Sequence, residues 1–204
     1  MCGRYSLHSN PRVVALQFGL DALPPFAPRY NIAPAANALI VRAQGAALAH
    51  WGLKGSMHNA RAETLAVKLS FREAYHRRRC LIPANGFYEW KREGALKQPY
   101  YIRPAERELF AFAGLWERWQ GLETFSVITV EANFAMRAIH DRMPVIIAPE
   151  HYAGWLHGEE GLLRPAPHSA LRSYPVSAAV NRAANESPDL IEPLESEIQK
   201  SLFD

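Results

Sequence analysis

The spacing of apolar and polar positions along this chain is mostly short-period, and most of the elements it predicts are strands. Residues 39–42 and 47–51 read as a strand pair turning at Gln44-Gly45. Residues 80–83 read as a buried strand end, and 86–90 alternate around an acid before a turn at Glu93-Gly94. Residues 100–103, 109–115 and 125–130 are further strands, and 143–148 is apolar and strand-like. Residues 174–177 carry Pro175, which lacks a donor, so they predict a short edge strand.

Helical signals are fewer and shorter. Ser9-Asn10-Pro11 starts a helix, with Pro in a first-turn position, and Gly19 closes it. Ser70-Phe71-Arg72-Glu73 has the form of a capping box and predicts a helix through Arg79. Residues 132–139 predict a short helix, and Pro149-Glu150 another, running to about His157. Between these, 23–30 carries Pro24, Pro25 and Pro28 and reads as an irregular connection. Pro34 keeps the residues before it extended. Residues 52–58 form a short loop, and 59–64 a packed segment with projecting polar groups. There is no repeat, low-complexity stretch or linker, which predicts one α+β domain built on antiparallel strands.

Composition narrows the class of protein. A length of 204 residues suits one large domain or at most two small ones, and 49% hydrophobic residues suits a globular core. No apolar run approaches the ~20 residues that span a bilayer, and no secretory signal is evident. Two cysteines in this length do not make a disulfide framework. A reducing, cytoplasmic location with no membrane association is therefore expected. The net charge is only +3, but its sign is unevenly placed. Arg77, Arg78 and Arg79 follow Lys68, Arg72 and His76, while Glu186, Asp189, Glu192, Glu195 and Glu197 are acidic. The basic run is either a site for a polyanion or an ordinary solvated helix end.

The candidate chemistry starts at the first two residues. Removal of Met1 would leave Cys2 with an α-amine and a thiol on one residue, both of which ordinarily titrate within reach of neutral pH. Such an aminothiol condenses with an aldehyde to an imine, and its sulfur then closes a five-membered thiazolidine. Alternatively the thiol serves as the nucleophile of an N-terminal hydrolase, or Cys2 is a small buried hydrophobe. Glu89, between Tyr88 and Trp90, is either an outward-facing carboxylate or a cleft acid whose pKa apolar walls raise. His140, in a loop with Asp141, is either a surface imidazole or an acid–base group. Asn59 and Arg61 share a side if extended. Arg4 lies two residues from Cys2, and arginines beside a nucleophile suit an anionic, phosphate-bearing substrate. No zinc-ligand spacing and no glycine-rich nucleotide fingerprint is present, so neither metal nor cofactor is expected.

Taken together, five stretches resemble the SRAP (SOS-response-associated peptidase) family. They are Met-Cys-Gly-Arg-Tyr at the start, Tyr30-Asn31-Ile32-Ala33-Pro34, Asn59-Ala60-Arg61-Ala62-Glu63-Thr64, Gly86-Phe87-Tyr88-Glu89-Trp90, and Ile139-His140-Asp141-Arg142-Met143-Pro144. The resemblance runs in the family's order from Cys2 to about Pro193, with 194–204 as a tail. It implies a mainly antiparallel, barrel-like β core flanked by short helices. It also implies a monomer that senses abasic sites in single-stranded DNA, where the N-terminal Cys forms a thiazolidine crosslink with the ring-opened sugar. Autoproteolytic removal of the first residue and abasic-site strand cleavage come with it. By the same resemblance Cys2 is the crosslinking residue and Asn59, Glu89 and His140 complete the active site. Arg4, Arg61 and Arg142 match phosphate-holding positions, and Asn31 joins them at the DNA. One stretch departs from the pattern. The family's loop before Asn-Ala-Arg is longer and carries Trp, whereas only 52–58 separates Trp51 from Asn59 here.

Two other readings share some of these residues. Class II glutamine amidotransferases also begin Met-Cys-Gly and need an oxyanion-hole Asn-Gly, which Asn85-Gly86 could mimic. A non-covalent DNA reader would use the arginines and aromatics and be indifferent to Cys2.

Overall fold

The computed structural model describes residues 2–194. Met1, Glu195, Glu197 and the rest of the tail lie outside them. In chain order the strands and α-helices are β1 (Arg4–Leu7), α1 (Pro11–Phe18), β2 (Arg29–Ile32), β3 (Asn37–Arg42), β4 (Gly45–Trp51), β5 (Asn59–Arg61), α2 (Leu69–Arg77), β6 (Arg79–Ala84), β7 (Gly86–Glu93), β8 (Leu96–Pro104), β9 (Phe110–Trp119), β10 (Leu122–Glu131), β11 (Arg142–Pro144), β12 (Ile146–Ile147), α3 (Tyr152–Leu156) and β13 (Leu171–Pro175).

Strand β10 pairs with β4, and the order then runs through β3, β6 and β9, which pairs back onto β10 and closes a barrel. Closure removes the sheet edges that would otherwise need covering. The β9–β10 hairpin turns at Gln120 and Gly121, both at positive φ (49° and 83°), the geometry that matches the twist of the flanking strands. Pairing is antiparallel except where β10 runs alongside β4 and β5. A second sheet has the order β13-β8-β7-β1-β2. The chain is thus an α+β domain with a mainly antiparallel, barrel-based core.

Sheet alternation explains how the two layers share β7. Phe87 joins the main core with Tyr5, Trp51, Phe112 and Phe125, while Tyr88 joins a smaller cluster with Tyr101, Val176, Val180 and Leu190 on the other face. Glu89, two residues beyond Phe87, follows it to the main-core face. Gly86 must be glycine, because a Cβ there would run into the ring of Tyr101, whose hydroxyl is held to Ser6 Oγ at 2.7 Å.

Local signals held in some places and yielded in others. The first helix starts and stops as its caps predict: Asn10 Oδ1 accepts from Arg12 N, Pro11 opens the helix, and Gly19 ends it at φ 61°. The hairpin of β3 and β4 turns one residue earlier than expected, at Ala43-Gln44, because Arg42 pairs with Gly45. Likewise Glu93 pairs with Leu96, so that turn is Gly94-Ala95. The capping box does not form. Helix α2 begins at Leu69, its N-cap Lys68 gives no side-chain bond, and Ser70 already lies in the first turn. Burial of Phe71 and Ala74 sets its phase instead. The helix also stops short of Arg79, which is drawn into β6 and sandwiched between the rings of Tyr75 and Trp155 at 4.4 and 4.5 Å. Arg78 pairs with Glu73 at 3.0 Å, which leaves Lys68, Arg72, His76 and Arg77 as the solvated part of the basic run. The short helix over 132–139 shrinks to a 3-10 turn at Met136–Ala138, because the segment must return to bond Ala132 N to Asp141 O at 2.9 Å. Strands β1 and β2 carried no alternation that could predict their pairing. Among the described residues, no helix is long and apolar enough to cross a membrane.

Candidate active site

Cys2 is fully buried at the edge of the main core, just before β1. The site around it is assembled from three other parts of the chain. Strand β5 brings Asn59, locked in place by Trp51 Nε1 and Val127 N, which both donate to the carbonyl of His58 at 2.8 and 3.0 Å. Asn59 Nδ2 donates to the carbonyl oxygen of Cys2 at 2.9 Å. Its Oδ1 is buried and takes no hydrogen bond among the described residues, so an acceptor lies beside the Cys2 backbone.

Glu89 arrives on β7 and is only 2% exposed. Burial is the main reason its carboxyl is pushed up to about 7, with the charge of Asp141 adding to it. That is the range in which a carboxyl both gives and takes protons at neutral pH. The charge of Glu89 bears on the Cys2 thiol. Burial first, and then that charge, hold the thiol far above its ordinary value, against the weaker pull of the N-terminal amine and a backbone hydrogen bond from Arg4. The expectation of a partly ionised thiol is therefore corrected: in the folded chain Cys2 is a protonated thiol that needs a base.

His140 Nε2 stands 3.9 Å from Glu89 Oε2. Its Nδ1 lies 2.9 Å from Asp141 Oδ1 and also 2.9 Å from Arg142 N, which donates to it. One nitrogen cannot both accept from Arg142 and donate to Asp141. The backbone N–H is an obligate donor and Asp141 is exposed to solvent, so Nδ1 is the acceptor and the ring proton sits on Nε2, facing Glu89. Burial lowers the His140 pKa, which keeps the ring neutral near pH 7.

The remaining predicted residues fall into two groups. Arg61 is exposed on β5 opposite Thr129. Arg142 sits close by, forked onto Glu63 at 2.7 and 3.0 Å and donating to the Thr129 carbonyl at 2.7 Å. Arg4 turns elsewhere. Its guanidinium donates to Asn31 Oδ1 at 2.8 Å, to Val180 O at 2.7 Å and to Asn181 O at 3.2 Å. Buried Asn31 donates in turn to the carbonyls of Val180, Arg182 and Asn185. Together they tie the loop 180–185 to β1 and β2, and Trp90 Nε1 joins from β7 by donating to Asn181 Oδ1 at 2.8 Å.

Sequence reasoning missed the partners of these residues. Glu63 was within reach, since it follows Arg61 by two residues. Nothing marked Asn181 or Asn185, some 150 positions from Asn31. The Asn85-Gly86 pair is not an oxyanion hole for Cys2. Asn85 Oδ1 accepts from the amides of His8 and Ser9 at 2.7 and 3.0 Å, and its Nδ2 donates to Ser9 Oγ and to the Glu108 carbonyl. Its side chain is thus spent six and seven residues further along the chain than Cys2.

The barrel sets a buried Cys2 beside a carboxyl pushed up to about 7, an imidazole and an asparagine, the makings of a candidate cysteine-centred site. The chain belongs to the SOS response associated peptidase (SRAP) family, whose profile matches residues 1–183. It is 39% identical over 222 aligned positions to abasic site processing protein YoqW of Bacillus subtilis, covering 94% of this chain and 99% of that one. Abasic site processing protein YedK of Escherichia coli is 29% identical over 95% of this chain and its own full length. Among solved structures, a protein from Bacteroides thetaiotaomicron superposes with a TM-score of 0.84 at 26% identity, covering 95% of this chain and 100% of that one.

Proposed function

We propose that this protein processes abasic sites in single-stranded DNA by forming a thiazolidine crosslink through Cys2 once Met1 has been removed. The names of its relatives, abasic site processing proteins, support the substrate. The observation that carries the chemistry is the position of Asn59, which holds Cys2 by its carbonyl while Glu89, at about 7, bears on its thiol.

The sugar of an abasic site is a closed hemiacetal. His140, when protonated, gives its Nε2–H to the ring oxygen while the Glu89 carboxylate takes the proton of the anomeric hydroxyl and returns it to His140, and the aldehyde opens. The Cys2 amine, accepted by the buried Asn59 Oδ1, adds to the aldehyde carbon. Glu89 in its protonated form helps water leave, and an imine remains. The Cys2 thiol then adds to the imine carbon and passes its proton to the Glu89 carboxylate, from which the ring nitrogen recovers one. The balance is one aldehyde and one aminothiol to one thiazolidine and one water. Without ring closure, the imine either hydrolyses or releases the 3′ phosphate by β-elimination, which accounts for lyase activity. Glu89 and His140 also suit the autoproteolytic removal of Met1. Arg61, with Arg142 behind it, holds the DNA phosphates, and Arg4 and Asn31 shape the wall of the groove through the loop 180–185. A reducing cytoplasm keeps the thiol free.

Intact-mass measurement before and after incubation with an abasic single-stranded oligonucleotide tests the reading. The expected product has the summed mass less one water. An unchanged mass, with Met1 absent from the protein, refutes it.

A further inference from the structure

Phe134 is 89% exposed, the most exposed aromatic side chain among the described residues. Its surroundings are not loose. Asn133 Oδ1 accepts from Met136 N at 2.9 Å and Asn133 Nδ2 donates to Ala166 O at 2.9 Å. The Asn133 carbonyl accepts from Arg137 N at 3.0 Å, and Arg137 Nε donates back to Ala132 O at 3.1 Å. Ala132 and Met136, on either side, are buried. Asn133 thus braces the turn that leads into Met136–Ala138, and Phe134 lies inside that turn with its side chain in solvent. A large apolar ring is held out into water by a segment that is otherwise fully bonded.

The same segment carries part of the candidate site. Ala132 N bonds to Asp141 O at 2.9 Å, which places the start of the segment against His140 and Arg142. Phe134 is two residues from that clasp, so its Cα lies within roughly 7 Å of it. Arg137, its side chain 64% exposed, anchored by Nε to Ala132 O at 3.1 Å and 3.8 Å from Glu131, sets a cation on the same turn. An exposed ring beside a cation is the combination that stacks a nucleobase and steadies its phosphate.

We propose that Phe134 is a stacking platform for a nucleobase next to the abasic site in the bound DNA strand, with Arg137 on the neighbouring phosphate. This rests on the proposed function for its ligand, and it adds a binding residue outside the five motifs. The ring stacks on a flanking base without reading its identity, since every base has a π-face.

The test uses an oligonucleotide carrying a tetrahydrofuran abasic analogue, which cannot open to an aldehyde, so that binding is measured apart from crosslinking. Fluorescence anisotropy gives the affinity of the wild type, Phe134→Ala and Phe134→Trp. The same measurement is repeated with the base on the 5′ or the 3′ flank also replaced by tetrahydrofuran. Loss of one stack is expected to weaken binding by Phe134→Ala at least about fivefold, while Phe134→Trp retains it. Removing the stacked base should weaken the wild type by a similar factor and leave Phe134→Ala unaffected. Equal affinities of wild type and Phe134→Ala overturn the proposal, and so does a loss in Phe134→Ala that persists whichever base is removed. Dissociation of a wild-type dimer by Phe134→Ala in sedimentation, with DNA affinity unchanged, also overturns it and makes Phe134 a self-association contact. A wild type that binds this DNA but forms no adduct with a natural abasic site refutes the crosslinking reading alone.

Discussion

Replacing Glu89 by Gln should make this protein more stable at alkaline pH and far slower at its reaction. The carboxyl titrates at about 7 in the folded chain against an ordinary 4.5, chiefly because it is buried. Below pH 4.5 both folded and unfolded chains hold the proton, and Glu89 costs nothing. Between the two values the folded chain holds the proton more tightly than the unfolded one, so stability falls as pH rises. Each pH unit in that window is worth about 1.36 kcal/mol, and the ionised carboxylate therefore costs up to about 3 kcal/mol above pH 7. The positive N-terminal amine pulls that value down and Asp141 pushes it up, and about 7 is what burial leaves after both. Gln keeps the volume and has no charge to bury. For a chain of this size the difference corresponds to a melting temperature about 6–12 °C higher at pH 8 and little changed near pH 4.5. Thermal melts of both proteins from pH 4.5 to 8 give this difference directly. An offset that is constant with pH, or a variant less stable at pH 8, refutes the reading that burial outweighs the partners of this carboxylate. In the same variant, adduct formation should slow by about 10²–10⁴-fold, the usual worth of an acid–base group, with DNA affinity nearly unchanged. Equal losses in rate and affinity would make Glu89 a structural residue.

Cys2→Ser keeps the amine but swaps the thiol for a much weaker nucleophile, so the heat-stable adduct should be lost while some borohydride-trappable complex and strand nicking remain. Acetylating the N-terminus should abolish both, and a stable adduct surviving either change would assign the bond to another residue. Affinity for single-stranded DNA should fall steeply with salt. Because Arg61 is exposed whereas Arg4 and Arg142 are bonded internally, Arg61→Ala should reduce the log–log salt slope by about 0.7; an unchanged slope removes Arg61 from the phosphate contacts. Asn31→Ala strips the carbonyls of Val180, Arg182 and Asn185, and the Arg4 guanidinium, of a partner and should cost about 2–3 kcal/mol in urea denaturation. A loss under about 1 kcal/mol would mean that the loop 180–185 is held by other contacts.

Different parts of the molecule were legible in the sequence for different physical reasons. Helix α1 was readable because Asn10, Pro11 and Gly19 act on their own backbone neighbours, and such effects travel with the residues. The alternation around Glu89 was readable because strand side chains point to opposite faces whatever the strand packs against. It did not reveal which face was buried. Both faces are, and only the layering of the second sheet on the barrel turns a half-exposed acid into one titrating near 7. The capping box over Ser70 failed because burial of Phe71 and Ala74 outweighed a cap of about 1 kcal/mol.

The sequence by itself carried the chemical inventory: an aminothiol in waiting, an acid, an imidazole and an asparagine, in motifs specific enough to assign the family. Tertiary structure decided the state of each group. It closed the barrel through the pairing of β9 with β10 and of β10 with β4, contacts that no local pattern encodes. It buried Cys2 and so kept its thiol protonated. It also turned Arg4 and Asn31 inward to the loop 180–185 and left Arg61 and Phe134 outside. Residue type sets what a side chain can do, but its charge and partners depend on desolvation and on neighbours far away in the chain, and these exist only once the chain has folded.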